Sequence, residues 1–330
     1  MAEAQATADQ PIIDVGDLSV SFVSRDATVH AVNGLSFTLD PGEVLCILGE
    51  SGSGKSVTLR ALMRLLPRQA RISGQVMFGG QDTLRLNARD LADLRGSEIA
   101  MIFQEPMVAF DPVYTVGRQI TETIRRHENV SAPEARQRAL NLFERVQIPS
   151  PERRLKALPH ELSGGMRQRA MIALALACNP RVLLADEPTT ALDATVQIQI
   201  LLLLRELRRE LGMAVIFVTH DIGVAMEIAD RIAVMYAGRF VEIGPVREII
   251  RNPRHPYTRG LLSSTVQGSL RGQRLEAIPG SPPDMAQLAT GCAFAPRCRH
   301  VLPACEGEVP AETWLTSDHM IRCLLQNGAS

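Results

Sequence analysis

Between residues 12 and 262, short runs that are apolar at every position alternate with stretches whose apolar residues recur every three or four positions. Runs 44–48, 182–185 and 214–218 have no polar side to turn toward water, which is the pattern of strands covered on both faces of a parallel sheet. Ala139, Leu142, Phe143 and Val146 share one helical face. Ile200, Leu203, Leu204, Leu207 and Leu211 repeat that spacing, and Gly212 stands where a left-handed residue would end the helix. This alternation predicts an α/β architecture built on a central sheet, with a mostly helical stretch inserted at about 112–177. Residues 1–11 are expected to be disordered. After Asn252 the texture shifts to Pro, Gly and Arg with little periodicity, so 263–330 is predicted to be a small appendage held by something other than an apolar core.

Composition narrows the function classes. A chain of 330 residues suits about two domains. Its 35 Lys and Arg against 36 Asp and Glu give a net charge of -1, so no global positive field draws it to nucleic acid or to an anionic bilayer. No run approaches the roughly 18 apolar residues that a spanning helix needs. The first eleven residues lack both a basic cluster and an apolar segment, so a cytosolic location is expected. In that compartment the six cysteines are not a disulfide framework. Cys46 and Cys178 lie singly in apolar segments and read as core. Cys292, Cys298, Cys305 and Cys323 crowd into the last forty residues.

Gly49, Glu50, Ser51, Gly52, Ser53, Gly54, Lys55 and Ser56 spell G-x-x-x-x-G-K-S directly after the apolar run 44–48, and the helix-compatible stretch 57–65 begins with Val57. In that setting glycines let successive backbone N–H groups and a helix N-terminus converge on phosphates. Lys55 would reach the β- and γ-phosphates, and the Ser56 hydroxyl would ligate Mg²⁺. The run 182–185 ends in Asp186 and Glu187, at the strand end where ligands bind in such sheets. Asp186 suits Mg²⁺, directly or through water, and Glu187 suits acceptance of a proton from attacking water.

With these motifs the chain resembles the ATP-binding cassette (ABC) family, and the segment Leu162-Ser-Gly-Gly-Met-Arg-Gln-Arg169 is similar to that family's signature. The resemblance implies a P-loop NTPase core, a mostly parallel sheet with an antiparallel β subdomain, over residues 12–262, together with an inserted helical subdomain. It implies that Ser163, Gly164, Gly165 and Gln168 close on the γ-phosphate held by a second subunit. Gln104 is similar to the glutamine that senses Mg²⁺ and attacking water, and Thr190-Ala-Leu-Asp193 resembles the loop that crosses the dimer interface, with Asp193 at its end. His220 resembles the switch histidine that contacts the γ-phosphate. Phe22 aligns with the aromatic that stacks on adenine, although His30 is an alternative.

Four cysteines spaced C-x5-C-x6-C-x17-C suit an iron–sulfur cluster or Zn²⁺. The close pairs common at structural zinc sites are missing. His255-Pro-Tyr-Thr-Arg-Gly-Leu-Leu262, Ile278-Pro-Gly280 and Gly291-Cys-Ala-Phe-Ala-Pro-Arg-Cys298 resemble the C-terminal region of the oligopeptide/dipeptide importer ATPases. That resemblance favours a [4Fe–4S] cluster over zinc. It implies an ATPase, peripheral on the cytoplasmic side of the inner membrane, that couples ATP hydrolysis to peptide uptake. Its implied partners are a related second nucleotide-binding subunit, two membrane permease subunits and an extracytoplasmic solute-binding protein. Nickel, opines, glutathione and sugars use similar ATPases. A soluble cassette acting on nucleic acid is disfavoured by the near-neutral charge and by the 59 positions from Gln104 to Ser163, room only for a compact helical subdomain.

Overall fold

Three strands with no polar side set the frame. Val44–Leu48, Val182–Asp186 and Ala214–Thr219 are buried at every position, as the apolar runs 44–48, 182–185 and 214–218 require, and the terminal Asp186 and Thr219 are buried with them. The computed structural model describes residues 10–190, 192–264, 278–288 and 290–326. The expected disorder of 1–11 therefore falls almost wholly outside the described residues.

In chain order the first elements are β1 (Ile13–Val23), β2 (Thr28–Leu39), β3 (Val44–Leu48), α1 (Lys55–Leu62), β4 (Ala70–Phe78), β5 (Gln81–Asp82), α2 (Ala88–Ser97) and β6 (Ile99–Ile102). A helical run follows: α3 (Pro106–Ala109), α4 (Val116–His127), α5 (Ala132–Arg145), α6 (Pro151–Arg154) and α7 (Gly164–Ala175). Then come β7 (Val182–Asp186), α8 (Ala194–Leu211), β8 (Ala214–Thr219), α9 (Ile222–Ile228), β9 (Arg231–Tyr236), β10 (Arg239–Pro245), α10 (Val246–Arg251) and α11 (Pro256–Ser263). The chain finishes with α12 (Ala304–Gly307), β11 (Thr313–Trp314) and β12 (Met320–Ile321).

These elements divide between two compact units. The first comprises residues 1–12, 39–43 and 85–217. In it β6 and β7 pair in parallel, with Ile99 opposite Val182 and Ile102 opposite Ala185, and β8 follows on the far side of β7. Helices α4, α5, α7 and α8 start where a side-chain oxygen satisfies a free N–H group: Thr115, Ser131, Ser163 and Asp193 respectively. Helix α4 buries Val116, Gly117, Ile120 and Ile124 along one face. A Cβ at Gly117 would meet the Leu155 carbonyl oxygen at 2.5 Å, so glycine is what allows that approach. Helix α8 buries Ile200, Leu203, Leu204 and Leu207 and ends at Gly212 with φ +64°, as its periodicity predicts.

The second unit comprises residues 13–38, 44–84 and 218–330. It contains an antiparallel sheet in the order β2-β1-β4-β5 and a run of strands in the order β11-β12-β10-β9-β3. β3 and β9 are parallel, whereas β9, β10, β12 and β11 pair antiparallel. Glu242 on β10 is completely buried and is the point where three segments meet. Its carboxylate accepts the N–H groups of Arg254 (2.8 Å) and His255 (2.9 Å) ahead of α11, and pairs with His319 Nε2 (2.9 Å) just before β12. Burial opposes ionisation of Glu242, but the bonds from His319 and those two N–H groups outweigh it and hold its pKa below the usual value. Among the described residues no helix is long and apolar enough to cross a membrane.

His255 gives this unit an acid sensitivity. It is buried, its Nδ1 accepts the Tyr257 N–H at 3.0 Å to cap α11, and burial lowers its pKa to about 4, against a partly opposing pull from Glu242. Between pH 6.5 and 4 the unfolded chain therefore binds a proton that the folded chain refuses, and stability falls as pH falls through that window. At pH 5 the loss is about 2 kcal/mol. His255→Asn keeps a capping oxygen and removes the titration. Thermal melts from pH 7 to pH 5 should show a shallower decline for the variant than for the wild type; parallel declines would exclude His255 as the cause.

Candidate functional site

The phosphate-binding loop lies in the second unit between β3 and α1. Gly52 and Gly54 take φ values of +79° and +107°, and Gly54 precedes the first residue of the helix. A Cβ at Gly49 would stand 2.3 Å from the Met235 carbonyl oxygen, and one at Gly54 2.3 Å from that of Ala31, so both positions require glycine. Lys55 is buried, and its Nζ donates to the carbonyls of Gly49 (2.8 Å) and Glu50 (2.9 Å). The Ser53 hydroxyl is buried and has no hydrogen-bond partner among the described residues. Ser51 and Gly52 are exposed at the rim, and Ser56 and Val57 are half-buried in the first turn of α1. The loop thus presents a helix N-terminus, a buried cation and an unspent hydroxyl, which is the donor set a polyphosphate needs.

The first unit holds the acids. Asp186, the last residue of β7, is fully buried. Glu187 follows at φ +45°, a left-handed conformation uncommon for a residue with a side chain and concentrated at functional sites. Its Oε2 accepts the Thr190 hydroxyl at 2.9 Å and the Gln104 amide at 3.4 Å. Gln104, Glu187 and Thr190 are therefore brought together; the sequence marks Thr190 as the start of the segment similar to the interface-crossing loop, and its bond to Glu187 is new. Ser163 caps α7 by accepting the Met166 N–H, and a Cβ on Gly164 would meet nothing within 4 Å. Gly165 is tighter, with Val196 Cγ1 3.3 Å from where a Cβ would be. Gln168 is buried and donates to the Pro188 carbonyl, which ties α7 to the segment just after Glu187. Asp193 is exposed and caps α8. Ala191, within the same segment, lies outside the described residues.

His220 is exposed in the second unit, directly after β8. Phe22 is half-buried near the end of β1, opposite Ala70, and His30 is exposed on β2.

The four tail cysteines come within electrostatic range of one another. Burial pushes the thiols of Cys292 and Cys298 up and that of Cys323 to about 11, and neighbouring thiols add to each shift. Backbone N–H groups act in the other direction: Phe294 and Ala295 bond to Cys292, Leu325 to Cys323, and His300 to Cys298 Sγ at 3.4 Å. Gly291 lets Cys292 N–H reach the Cys305 carbonyl at 2.8 Å, because a Cβ there would stand 2.2 Å from that oxygen. The sequence leads one to expect a [4Fe–4S] ligand set here. Among the described residues, however, no three His, Cys, Asp or Glu side chains form a group that could hold a metal ion. Cys46 is buried in β3, where burial raises its pKa, and Cys178 is half-buried, with its thiol pushed to about 11.

Sequence reasoning missed two further residues. Glu50 in the phosphate loop is paired with Arg297 of the tail, and its N–H donates to the Tyr257 hydroxyl. Both partners lie in segments noted for their resemblance, but no spacing rule links residue 50 to residue 297.

A glycine-wound loop at a helix start and a strand ending in two carboxylates define an ATPase of the P-loop class. Residues 32–190 match the ABC transporter family model, and residues 241–305 match the model for the oligopeptide/dipeptide transporter C-terminal region. Relatives include the dipeptide transport ATP-binding protein DppD of Bacillus subtilis, 46% identical over 320 residues and 96% of each chain. The oligopeptide transport ATP-binding protein OppD of Salmonella typhimurium is 46% identical over 317 residues and 95% of each chain. Among solved structures, the dimeric post-hydrolysis state of an ATP-binding cassette bound to ADP and Pi superposes with a TM-score of 0.65 at 30% identity, covering 71% of this chain and 99% of the other. The chain belongs to the ABC transporter family of ATP-binding proteins, in the group that carries the oligopeptide/dipeptide transporter C-terminal region.

Proposed function

We propose that this chain is the ATP-hydrolysing subunit of an importer that takes up peptides. The phosphate loop carries the reading: a buried lysine, an unspent hydroxyl and a helix N-terminus gathered by two positive-φ glycines are of use only to an anion such as a triphosphate. The loop's backbone N–H groups other than that of Glu50, which is spent on Tyr257, and the Lys55 ammonium bind the phosphates. Phe22 stacks on the base. Ser56, Asp186 and Gln104 would hold Mg²⁺, which would neutralise phosphate charge. Glu187 takes a proton from the attacking water, and the bonds from Gln104 and Thr190 fix the carboxylate that does so. His220 contacts the γ-phosphate.

Ser163, Gly164 and Gly165 serve a nucleotide held by another subunit, with Asp193 at the subunit interface and Gln168 keeping the signature helix in place. One phosphate loop and one signature per chain make the working unit a pair, here a pair with a related subunit. That pair docks on two membrane permease subunits at the cytoplasmic side of the inner membrane, supplied with solute by an extracytoplasmic binding protein. The relatives' roles in dipeptide and oligopeptide transport support the choice of solute. The similarity of the tail to the oligopeptide/dipeptide transporter C-terminal region is what supports Cys292, Cys298, Cys305 and Cys323 as ligands of an iron–sulfur cluster, against an arrangement in which no three such side chains among the described residues form a metal-holding group.

Two measurements test these roles. Glu187→Gln should bind MgATP as the wild type does and hydrolyse it at least about 100-fold more slowly; unchanged turnover would remove Glu187 as the base. Iron and sulfide analysis of anaerobically purified protein should give iron and sulfide in equal amounts with a visible absorbance band. Stoichiometric zinc without a band would overturn the cluster assignment.

A further inference from the structure

The phosphate loop contains an acidic residue in a place built to receive an anion. Glu50 is the second residue of the motif, and its carboxylate meets Arg297 in a two-pronged pair, Oε2 to Nη1 at 2.7 Å and Oε1 to Nη2 at 3.0 Å. Arg297 stands 247 positions further along the chain, between Cys292 and Cys298. Its side chain is only 5% exposed, against 27% for Glu50. The guanidinium is held from other sides as well: Nε donates to the Pro279 carbonyl at 2.8 Å, and Nη1 reaches the Tyr236 hydroxyl at 3.3 Å.

The backbone of Glu50 is fixed in turn. Its N–H donates to the Tyr257 hydroxyl at 3.0 Å, and its carbonyl accepts Lys55 Nζ. Tyr257 is fully buried against the rings of Tyr236 (4.6 Å between centroids) and Phe294 (5.4 Å), and Phe294 lies two residues beyond Cys292. Arg297 of the tail and Tyr257 of α11 therefore grip one residue of the loop, one by its side chain and one by its backbone.

A bare carboxylate at this point would repel a polyphosphate, and more strongly in a partly desolvated setting than in water. A bidentate guanidinium cancels that charge and restricts the side chain to one arrangement. A loop ordered in advance also gives up less freedom when its ligand arrives. We propose that Arg297, carried by the cysteine-bearing tail, is a positioning residue for nucleotide binding, which neutralises and pins Glu50 so that the phosphate loop is ready for a nucleoside triphosphate. This rests on the reading of the loop as the ATP site, and it makes the tail a working part of nucleotide binding.

Equilibrium titration of the full-length protein with MgATP tests the inference. Arg297→Ala should weaken binding at least about tenfold, and adding Glu50→Gln to that variant should restore affinity to within about threefold of wild type, because the uncompensated charge is gone. In hydrolysis assays the KM of Arg297→Ala should rise by the same factor, while kcat at saturating ATP stays within about twofold, a split that general loss of stability does not produce. Glu50→Gln alone should bind at least as tightly as the wild type, and this decides the matter if Arg297→Ala does not fold. Wild-type affinity in Arg297→Ala, a loss that Glu50→Gln fails to relieve, or weaker binding by Glu50→Gln alone would overturn the inference while wild-type binding left the ATP reading standing. If the wild type bound no MgATP, that reading would fail and the inference with it.

Discussion

A chain of peptide N–H groups can hold a polyanion only if it winds back on itself tightly enough for several of them to point at one place. That constraint shapes the second unit around residues 49–55. Gly52 and Gly54 supply the left-handed turns, and Gly49 and Gly54 leave room for the carbonyls of Met235 and Ala31 at distances no side chain would permit. The all-buried β3 anchors one end of the loop and α1 the other. The Gly238 N–H closes on the Ser53 carbonyl at 2.9 Å, and Tyr257 of α11 and Arg297 of the tail both reach Glu50. A loop under this many restraints is preorganised, which lowers the entropy lost on binding.

In the first unit the corresponding constraint is the placing of a carboxylate. Glu187 sits one residue past the end of a buried strand, in a backbone conformation that costs free energy and persists because its surroundings over-determine it. The Gln104 amide and the Thr190 hydroxyl fix the side chain. Gln168 reaches from the helix that begins at Ser163 to the Pro188 carbonyl, so the signature segment and the segment carrying Glu187 are held by one hydrogen bond.

Local pattern made the buried strands and α8 legible, because a strand covered on both faces has no polar positions and a helix that buries one side has a period near 3.6. Gly212 was readable as a helix end for the same reason. The phosphate loop and the acids at the end of β7 were legible because their chemistry demands fixed residue types at fixed spacing. What pattern could not give is pairing across long separations. Nothing local in Glu242 foretells that it will be buried against His319, and nothing in Glu50 foretells Arg297. The tail was the least legible part, since its buried residues are scattered among turns. The crowding of its cysteines pointed to a ligand set, but the folded chain forms no group able to hold a metal ion among the described residues.

The measurement that bears most directly on the account is the affinity of the full-length protein for MgATP, compared between wild type and Lys55→Ala. The account predicts saturable binding by the wild type and a loss of at least about tenfold in the variant, whose loop keeps its amides but lacks its buried cation. Equal affinity in the two proteins would contradict the account, because the buried ammonium of the loop would then have no part in holding phosphate.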